Sequence, residues 1–528
     1  MWERGKSTMH SRFITIGLFT VLLSWSGFAA VASAGGYEIP GGSARALGRG
    51  STGLARADDP IMAFLNPAAL GSMPTQLMLG THLMWQKACF DRTGTYDPSY
   101  VGEQTGVEHP EVCNGKDPAD RMTLMPFVAF TKRFGKRVGM VLGLDAPYAT
   151  RAMRWETARR IEEDGQVVPG FYPAPEGVTT DDGLVPSPAR YMLVTDDVVV
   201  LHVTYGIGVK LADWFQVGAG FGWGFAKVRF TNYTRFAQAG EDMANDQPTT
   251  VKVNDWFLPR LVGSIHFIPH DRLDIMAGVR WDDDVKASGS TVAQTAETLT
   301  GLGITGPLGE ARGSVRYRAP RPIWVTFGIR YAHRTAPRAS LDDDDPTDDP
   351  MKNETFDIEA NVIYERNSVV TDHLFSSGAL GLFMNPDDPE PSLTIPEFEN
   401  PIRVPHNWKD QVSVRVGGDW NVMPGQLALR LGGSFETMGF RDGFGFIDYL
   451  PLQRFGVHFG LSGRFGAVEM TLGYVHFFTT TFNNPDGQHP QIVIGLQGPV
   501  DGVTNFVNSG TYRAHIDMLA WSLRVVFD

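Results

Sequence analysis

Residues 411–433 read QVSVRVGGDWNVMPGQLALRLGG. Val412, Val414, Val416, Trp420 and Val422 fall on one side of an extended chain, with Gln411, Ser413, Arg415, Gly417, Asp419 and Asn421 on the other. After the tight corner at 423–425, Leu427, Leu429 and Leu431 repeat the pattern against Ala428, Arg430 and Gly432. Side chains alternate across a strand, so the stretch is a hairpin with one apolar and one polar face. The polar face bears on the class. A soluble sandwich buries its apolar face and wets a charged one. Here the second face is small or hydrogen-bonding, which suits the inside of a barrel, and the first is rich in Val, Leu and Trp, which suits lipid. Composition alone leaves both architectures open, and the order of loops separates them.

The same alternation recurs in segments near 76–90, 122–133, 138–149, 198–211, 215–231, 252–267, 272–287, 314–332, 354–367, 409–422, 426–438, 453–465, 467–479 and 513–527. Tight corners such as FGKR (134–137), LADW (211–214) and IPHD (268–271) alternate with long Pro-, Gly- and Asp-rich connections at 91–121, 150–197, 288–313, 368–408 and 480–512. Short turns on one side and long loops on the other predict an all-β, fourteen-stranded antiparallel transmembrane β-barrel, with both termini in the periplasm. The last segment agrees, because Leu519, Trp521, Leu523, Val525 and Phe527 share one face, long enough for a tilted span. One connection on the short side is long: residues 333–350 include Asp342–Asp345. A solvated acidic turn at 342–349 is expected there. Calcium is the alternative, although the spaced ligands and Gly of an EF-hand loop are missing.

The chain has 528 residues and a net charge of −13, which argues against nucleic acid as a partner. Arg4, Lys6 and Arg12 precede the apolar run FITIGLFTVLLSWSGF (13–28), and Ala32-Ser33-Ala34 offers a small-residue cleavage site. Residues 1–34 therefore read as a signal peptide, the alternative being an uncleaved anchor. Cys89 and Cys113 are the two cysteines. Outside the cytoplasm they are expected to pair, free thiols being the alternative. HExxH, GxSxG, paired CxxC and Walker A patterns are missing from the mature chain, so neither an enzyme nor a resident metal or cofactor is expected. His458 and Ser462 share a predicted face but lie in no nucleophile motif. The alternate glycines of GAGFGWG (218–224) lead into a further strand and not a helix, so they suit an inner wall that another backbone approaches closely.

Residues 35–75 precede the first alternating segment and are the right size to fill a barrel this wide. ARADDPIMAFLNPAAL (55–70), preceded by GGSARALGRGSTG (41–53), resembles the N-terminal hatch of the FadL/TodX-type outer-membrane transporters of long-chain fatty acids and aromatic hydrocarbons. Asp58-Asp59 followed by Asn66-Pro67-Ala68 is the most specific part. Trp408-Lys409-Asp410, LALRLGG (427–433) and the stretch Pro451–Gly456 continue the resemblance. It implies a hatch at 35–75 inside a barrel at 76–528, with Asp58 and Asp59 tying the hatch to the wall. It also implies a lateral opening beside the third strand, where Asp145-Ala146-Pro147-Tyr148 interrupts the alternation, the alternative being that Pro147 only ends the strand before a loop.

The expected function is passive transport of hydrophobic molecules across the bacterial outer membrane, with long-chain fatty acids ahead of aromatic hydrocarbons. A structural barrel or porin is the rival. Arg56, Arg260, Arg280, Arg415 and Arg430 are candidate partners for a carboxylate, with pairing to acidic groups inside the barrel as the alternative. Met62, Phe64 and Leu65 are candidate tail contacts. The other expected neighbours are membrane lipid and lipopolysaccharide, around a monomer.

Overall fold

A computed structural model describes residues 42–527 except 57, 162–166, 237–238, 242–244, 295–297, 300–303, 306–308, 346, 385–387 and 496–497. The expected signal peptide lies outside the described residues, as do 35–41.

Fourteen neighbouring strands form one closed antiparallel wall. In chain order they are β1 (Gln76–Arg92), β2 (Met122–Phe134), β3 (Val138–Arg154), β4 (Thr195–Ala212), β5 (Phe215–Phe236), β6 (Asp246–His270) and β7 (Leu273–Asp282). Then follow β8 (Trp324–Arg334), β9 (Glu354–Glu365), β10 (Gln411–Met423), β11 (Leu427–Glu436), β12 (Arg454–Phe465), β13 (Val468–Thr479) and β14 (Gly510–Val526). β14 closes on β1 from Gln76↔Val526 to Arg92↔Gly510, so β1 starts and β14 ends at the short-turn end. Closure leaves no strand edge, which is what a lipid environment demands of a sheet.

Near the short turns the wall is inverted relative to a soluble protein. Along β6, Leu261 and Ile265 face outward at 51% and 47% exposure, while Arg260, Ser264 and His266 are buried inside. On β10, Val414, Val416 and Trp420 are exposed and Arg415, Asp419 and Asn421 are buried. An apolar outer band on a closed barrel with a polar interior is the surface of an outer-membrane protein.

Above that band the polarity reverses. Between Asp255 and Leu258, β6 sets Trp256 and Phe257 against the single residue Phe225 of β5. One extra residue in a strand moves every later side chain to the other face. Beyond the bulge Val251 and Val253 point inward and Lys252 is exposed. β7 continues past Asp283-Asp284 as Val285–Gln294, and β8 is preceded across 320–323 by Glu310–Ala319. These pieces also carry the inverted pattern: Val285, Ala287, Val315, Tyr317 and Ala319 inside, Lys286, Ser288, Arg316 and Arg318 outside. Asp372–Phe383 and Ile402–Pro405 continue the wall above β9 and β10.

Two expectations are corrected here. Segments 272–287 and 314–332 are each two strands, and 288–313 and 368–408 contain wall strands and are not only loop. Pro320 and Pro322 carry no amide donor and break the ladder. The parts of the upper pieces within 288–313 and 368–408 escaped the alternation test because they face water, so their outer residues are polar. The broken ladder is satisfied by polar groups: Asp255 accepts from the amides of Phe257 (3.0 Å) and Lys286 (2.7 Å).

Residues 42–75 lie within the lower wall. They contain α1 (Ala44–Gly48) and two 3₁₀ turns, Met62–Phe64 and Pro67–Gly71. The wall strands admit them through glycines. A Cβ on Gly417 would sit 2.0 Å from the Arg49 carbonyl oxygen, and one on Gly218 2.3 Å from the Ala68 nitrogen. Residues 335–353 span the short-turn end: Arg338 donates to Asp274 (2.9 Å), Leu341 N–H to Asp213 (2.9 Å) and Arg464 to Asp349 (2.5 Å). Asp342–Asp345 stand exposed at its tip.

Candidate functional site

The largest described apolar cluster sits in the upper tier, not under the lipid-facing band. It does not fill that tier. A cavity of about 130 Å³ remains, lined by Val228, Phe230, Val251, Val315, Phe375 and Phe398 among others. The described lining residues include no Lys or Arg. Its polar groups include Asp196, Asp448, His373, Tyr317, Asn232 and Gln247. Burial pushes the Tyr449 phenol, at the same wall, above its usual range.

A smaller void of about 20 Å³ shares Val198, Val228, Tyr317 and Tyr449 with the cavity and reaches Arg321. Arg321 lies 3.5 Å from Asp282, which also accepts from Arg260 (2.6 Å) and Arg280 (2.6 Å). Arg260 in turn lies 3.7 Å from Asp145. Several guanidinium groups thus gather on few carboxylates at the level where the polarity turns over.

Asp145 is also where the wall changes. β2 pairs with β3 from Phe134↔Val138 only as far as Phe127↔Asp145. β2 stays paired with β1 up to Met122↔Trp85, and β3 with β4 up to Arg154↔Thr195, with register shifts at Asp145/Tyr148 and Thr150/Met153. The Gly115 amide meets the Arg154 carbonyl (2.7 Å) at the far end. Between these points β2 and β3 share no described ladder. Ala146 is buried, and the side chains of Pro147 and Tyr148 lie outside the described residues.

Below, charged groups bind the N-terminal segment to the barrel. Arg45 pairs with Glu469 (2.8 Å), and Arg49 with Asp357 (2.8 Å), Glu359 (3.3 Å) and Asp419 (3.1 Å). Arg56 pairs with Asp357 (2.9 Å) and Asp419 (3.1 Å). The Asp58 and Asp59 carboxylates pair within the segment: Asp58 accepts from Arg45 (2.5 Å) and Arg56 (3.1 Å), and Asp59 from Ser43 and the Ile61 amide. The contact of Asp58 with the wall is through its carbonyl, which accepts from the Gln76 side chain of β1 (3.3 Å). The acidic pair neutralises and folds the arginines that reach outward. Asn66 accepts from Ser264 of β6 (2.8 Å), and the Ala68 amide donates to the same hydroxyl (2.9 Å). Pro67 begins the second 3₁₀ turn.

The remaining candidates are placed as follows. Arg430 donates to Asp419 (2.9 Å) and Ser462 (2.6 Å), and Arg415 to Ser413 (2.9 Å) and the Ser51 carbonyl (3.4 Å). Phe64 packs with Leu70, Phe127 and Val141, and Met62 with Leu54, Met276 and Trp324, where Leu65 also contacts. None of these residues is among those lining the cavity. Cys89 and Cys113 are joined by a disulfide between β1 and the first long connection. His458 Nδ1 faces the Leu47 carbonyl (2.7 Å) and its Nε2 faces Ser434 (2.8 Å), while Ser462 meets Arg430 and Thr471. The two do not form a nucleophile–base pair. The cavity lining is what sequence reasoning missed, because its residues come from the inverted tier.

No protein-family model matches the chain, and no curated protein matches it. Solved structures do. A Pseudomonas aeruginosa FadL homologue superposes with a TM-score of 0.63 at 14% identity, over 93% of this chain and 100% of that one. The Ralstonia pickettii toluene transporter TbuX gives 0.57 at 13% identity, over 93% and 99%. The Pseudomonas putida toluene transporter TodX gives 0.58 at 11%, over 93% and 100%. Over nearly its whole length, this chain has the fold of the FadL- and TodX-type outer-membrane barrels.

Proposed function

We propose that this protein is a transporter, not an enzyme, and carries small hydrophobic molecules passively across a bacterial outer membrane. The observation behind this reading is an apolar cavity placed above the lipid band, in a barrel whose β2–β3 ladder stops at Asp145. A neutral molecule would leave water for the cavity, pass the Arg321–Asp282 level and leave sideways between β2 and β3 beside Asp145 and Ala146. The described residues of 42–75 act as a hatch that closes the lower barrel and directs the exit to the side. No energy source is required, since the bilayer itself is the sink.

Size and charge bear on the substrate. A cavity of about 130 Å³ is close to the roughly 150 Å³ apolar cavity that accepts benzene. A long acyl chain is several times larger. A carboxylate inside would face Asp196 and Asp448 with no described Lys or Arg in the lining. Monoaromatic hydrocarbons therefore fit this cavity better than fatty acids do. The fatty-acid reading keeps one support, the guanidinium groups of Arg260, Arg280 and Arg321 around Asp282.

Uptake of labelled toluene and labelled oleate, in cells making the intact chain or Val251→Trp, tests this. Val251 lines the cavity, and Trp would fill it. Toluene uptake should exceed that of cells lacking the protein and fall in the variant. Oleate uptake that falls in the same variant would move the substrate class to fatty acids. Uptake of neither above background would overturn the transport reading.

A further inference from the structure

Beside the cavity-lining His373 and Asp448, His406 makes two polar contacts, and both are to acceptors. Its Nδ1 lies 3.0 Å from the Val404 carbonyl oxygen and its Nε2 lies 2.9 Å from Oδ2 of Asp448. A neutral imidazole carries one N–H and one lone pair. One of these contacts therefore sets a lone pair against an oxygen lone pair unless a cation lies between them. That cation is either a second proton or a metal ion.

The surroundings favour the metal. His406 is fully buried and its ring lies 3.9 Å from that of His373, centroid to centroid. An imidazolium there would be removed from water and stacked on a second basic ring. His373 Nδ1 is itself 3.9 Å from the same Asp448 oxygen and 3.1 Å from the Tyr317 hydroxyl. The three side chains come from three separate parts of the chain: the upper continuation of β9, the approach to β10, and the connection from β11 to β12.

We propose that His373, His406 and Asp448 bind one divalent transition-metal ion, with Zn²⁺ the best match. Two imidazoles and one carboxylate, with a further position open, is a donor set that zinc takes. The donor atoms already lie within 4.8 Å of one another. Tetrahedral zinc, with ligands at about 2.0–2.2 Å, needs them about 3.4 Å apart, so small adjustments of the two imidazoles and the carboxylate, now 2.9 and 3.9 Å from it, complete the site. The Val404 carbonyl holds the His406 Nδ1 proton and so aims Nε2 at the ion, as outer-shell acceptors do for ligating histidines. Tyr317 stands beside His373, and the open position faces the cavity. The other described cluster of metal-capable side chains contains Cys89 and Cys113, whose sulfurs are bonded to each other. A bound ion would place positive charge at a cavity whose described lining has no Lys or Arg. The site does not depend on the transport reading.

The test uses the full chain in detergent, stripped with a chelator and titrated with Co²⁺ and then Zn²⁺. One Co²⁺ per chain should produce the visible absorption of a four- or five-coordinate ion, and Zn²⁺ should displace it. His373→Gln and Asp448→Asn should each weaken binding by more than about 100-fold, beyond the loss typical of an outer-shell change. His489→Gln, a buried neighbour stacked on Phe446, should bind as the unsubstituted chain does. Heat-modifiable migration reports whether each variant is a folded barrel. X-ray absorption of the zinc-loaded unsubstituted chain gives a check free of variants, and a two-imidazole signature is expected. Failure to bind one equivalent, an oxygen-only shell, or folded ligand variants that bind normally would each overturn the site. His406 and Asp448 would then be an imidazolium–carboxylate pair.

Discussion

Two tiers of one wall obey opposite rules, and β6 runs through both. Below its bulge, Leu261 and Ile265 face outward and Arg260, Ser264 and His266 face in. Above it, Lys252 faces outward and Val251 and Val253 face in. The outer solvent accounts for the contrast. Lipid gives an apolar outer face no incentive to hide, so the lower interior is held by hydrogen bonds and ion pairs to the N-terminal segment. Water drives apolar groups inward, so the upper tier has an ordinary hydrophobic core. That core is left partly hollow, and the hollow is the candidate site. On β6 a shift of one residue joins the two tiers, whereas β5 passes from Gly222 and Gly224 to Ala226 and Val228 on one face with no shift.

Deleting Phe257 attacks the join itself. It should restore an unbroken ladder with β5 and turn Val251 and Val253 to water. The expected result is loss of the heat-resistant barrel on gels, and a variant that stays heat-resistant would show that the bulge does not set the polarity. Asp357→Ala tests the lower tier alone. Asp357 faces Arg49, Arg56 and Arg330, at 2.8, 2.9 and 2.6 Å. Removing it should cost about 3–5 kcal/mol in urea unfolding from detergent and expose residues 42–75 to protease.

The contrast sharpens with paired outward substitutions on one strand. Leu261→Lys places a charge in lipid and should cost about 2–4 kcal/mol. Lys252→Leu, on the outer side of the upper tier, should change stability by no more than about 0.5 kcal/mol. Similar costs at both sites would end the two-tier description.

The smallest effect concerns pH. Burial holds the His489 imidazole down at about 4 and that of His109 down at about 3, both in connections above the lipid. These groups stay neutral when folded, whereas the unfolded segments bind protons from about pH 6.5 downward. Stability of the upper connections therefore rises with pH across that window and falls on acidification. Hydrogen exchange, corrected for its intrinsic pH dependence, should show residues 91–121 and 480–512 less protected at pH 5 than at pH 7.5. Equal protection would contradict it.

The lower tier was legible because lipid imposes strict alternation, as Val412–Trp420 displays, and because Gly, Arg and Asp on the second face betray a filled lumen. Strand number followed from that alternation. The upper strands were hidden. Residues such as Ser288, Ser290 and Arg403 look like loop when an apolar outer face is the criterion. The cavity was hidden with them, as was His373–His406–Asp448, whose members are too far apart for any spacing motif. Asp58 and Asp59 were singled out for the tie to the wall. A carboxylate beside Arg45 and Arg56 pairs locally first, and sequence does not say which arginine reaches onward.

The ion pairs of the N-terminal segment also set an order of events. Arg49 meets a carboxylate 308 residues later in the chain, and Arg45 one 424 residues later. Contacts of such range form slowly, because the intervening chain must be ordered first. The segment made earliest therefore waits for its partners until β9, β10 and β13 exist, and the seam between β1 and β14 closes around it. The rate of barrel closure should accordingly respond to Asp357, Asp419 and Glu469. Kinetically, the far end of the chain decides when its beginning is folded.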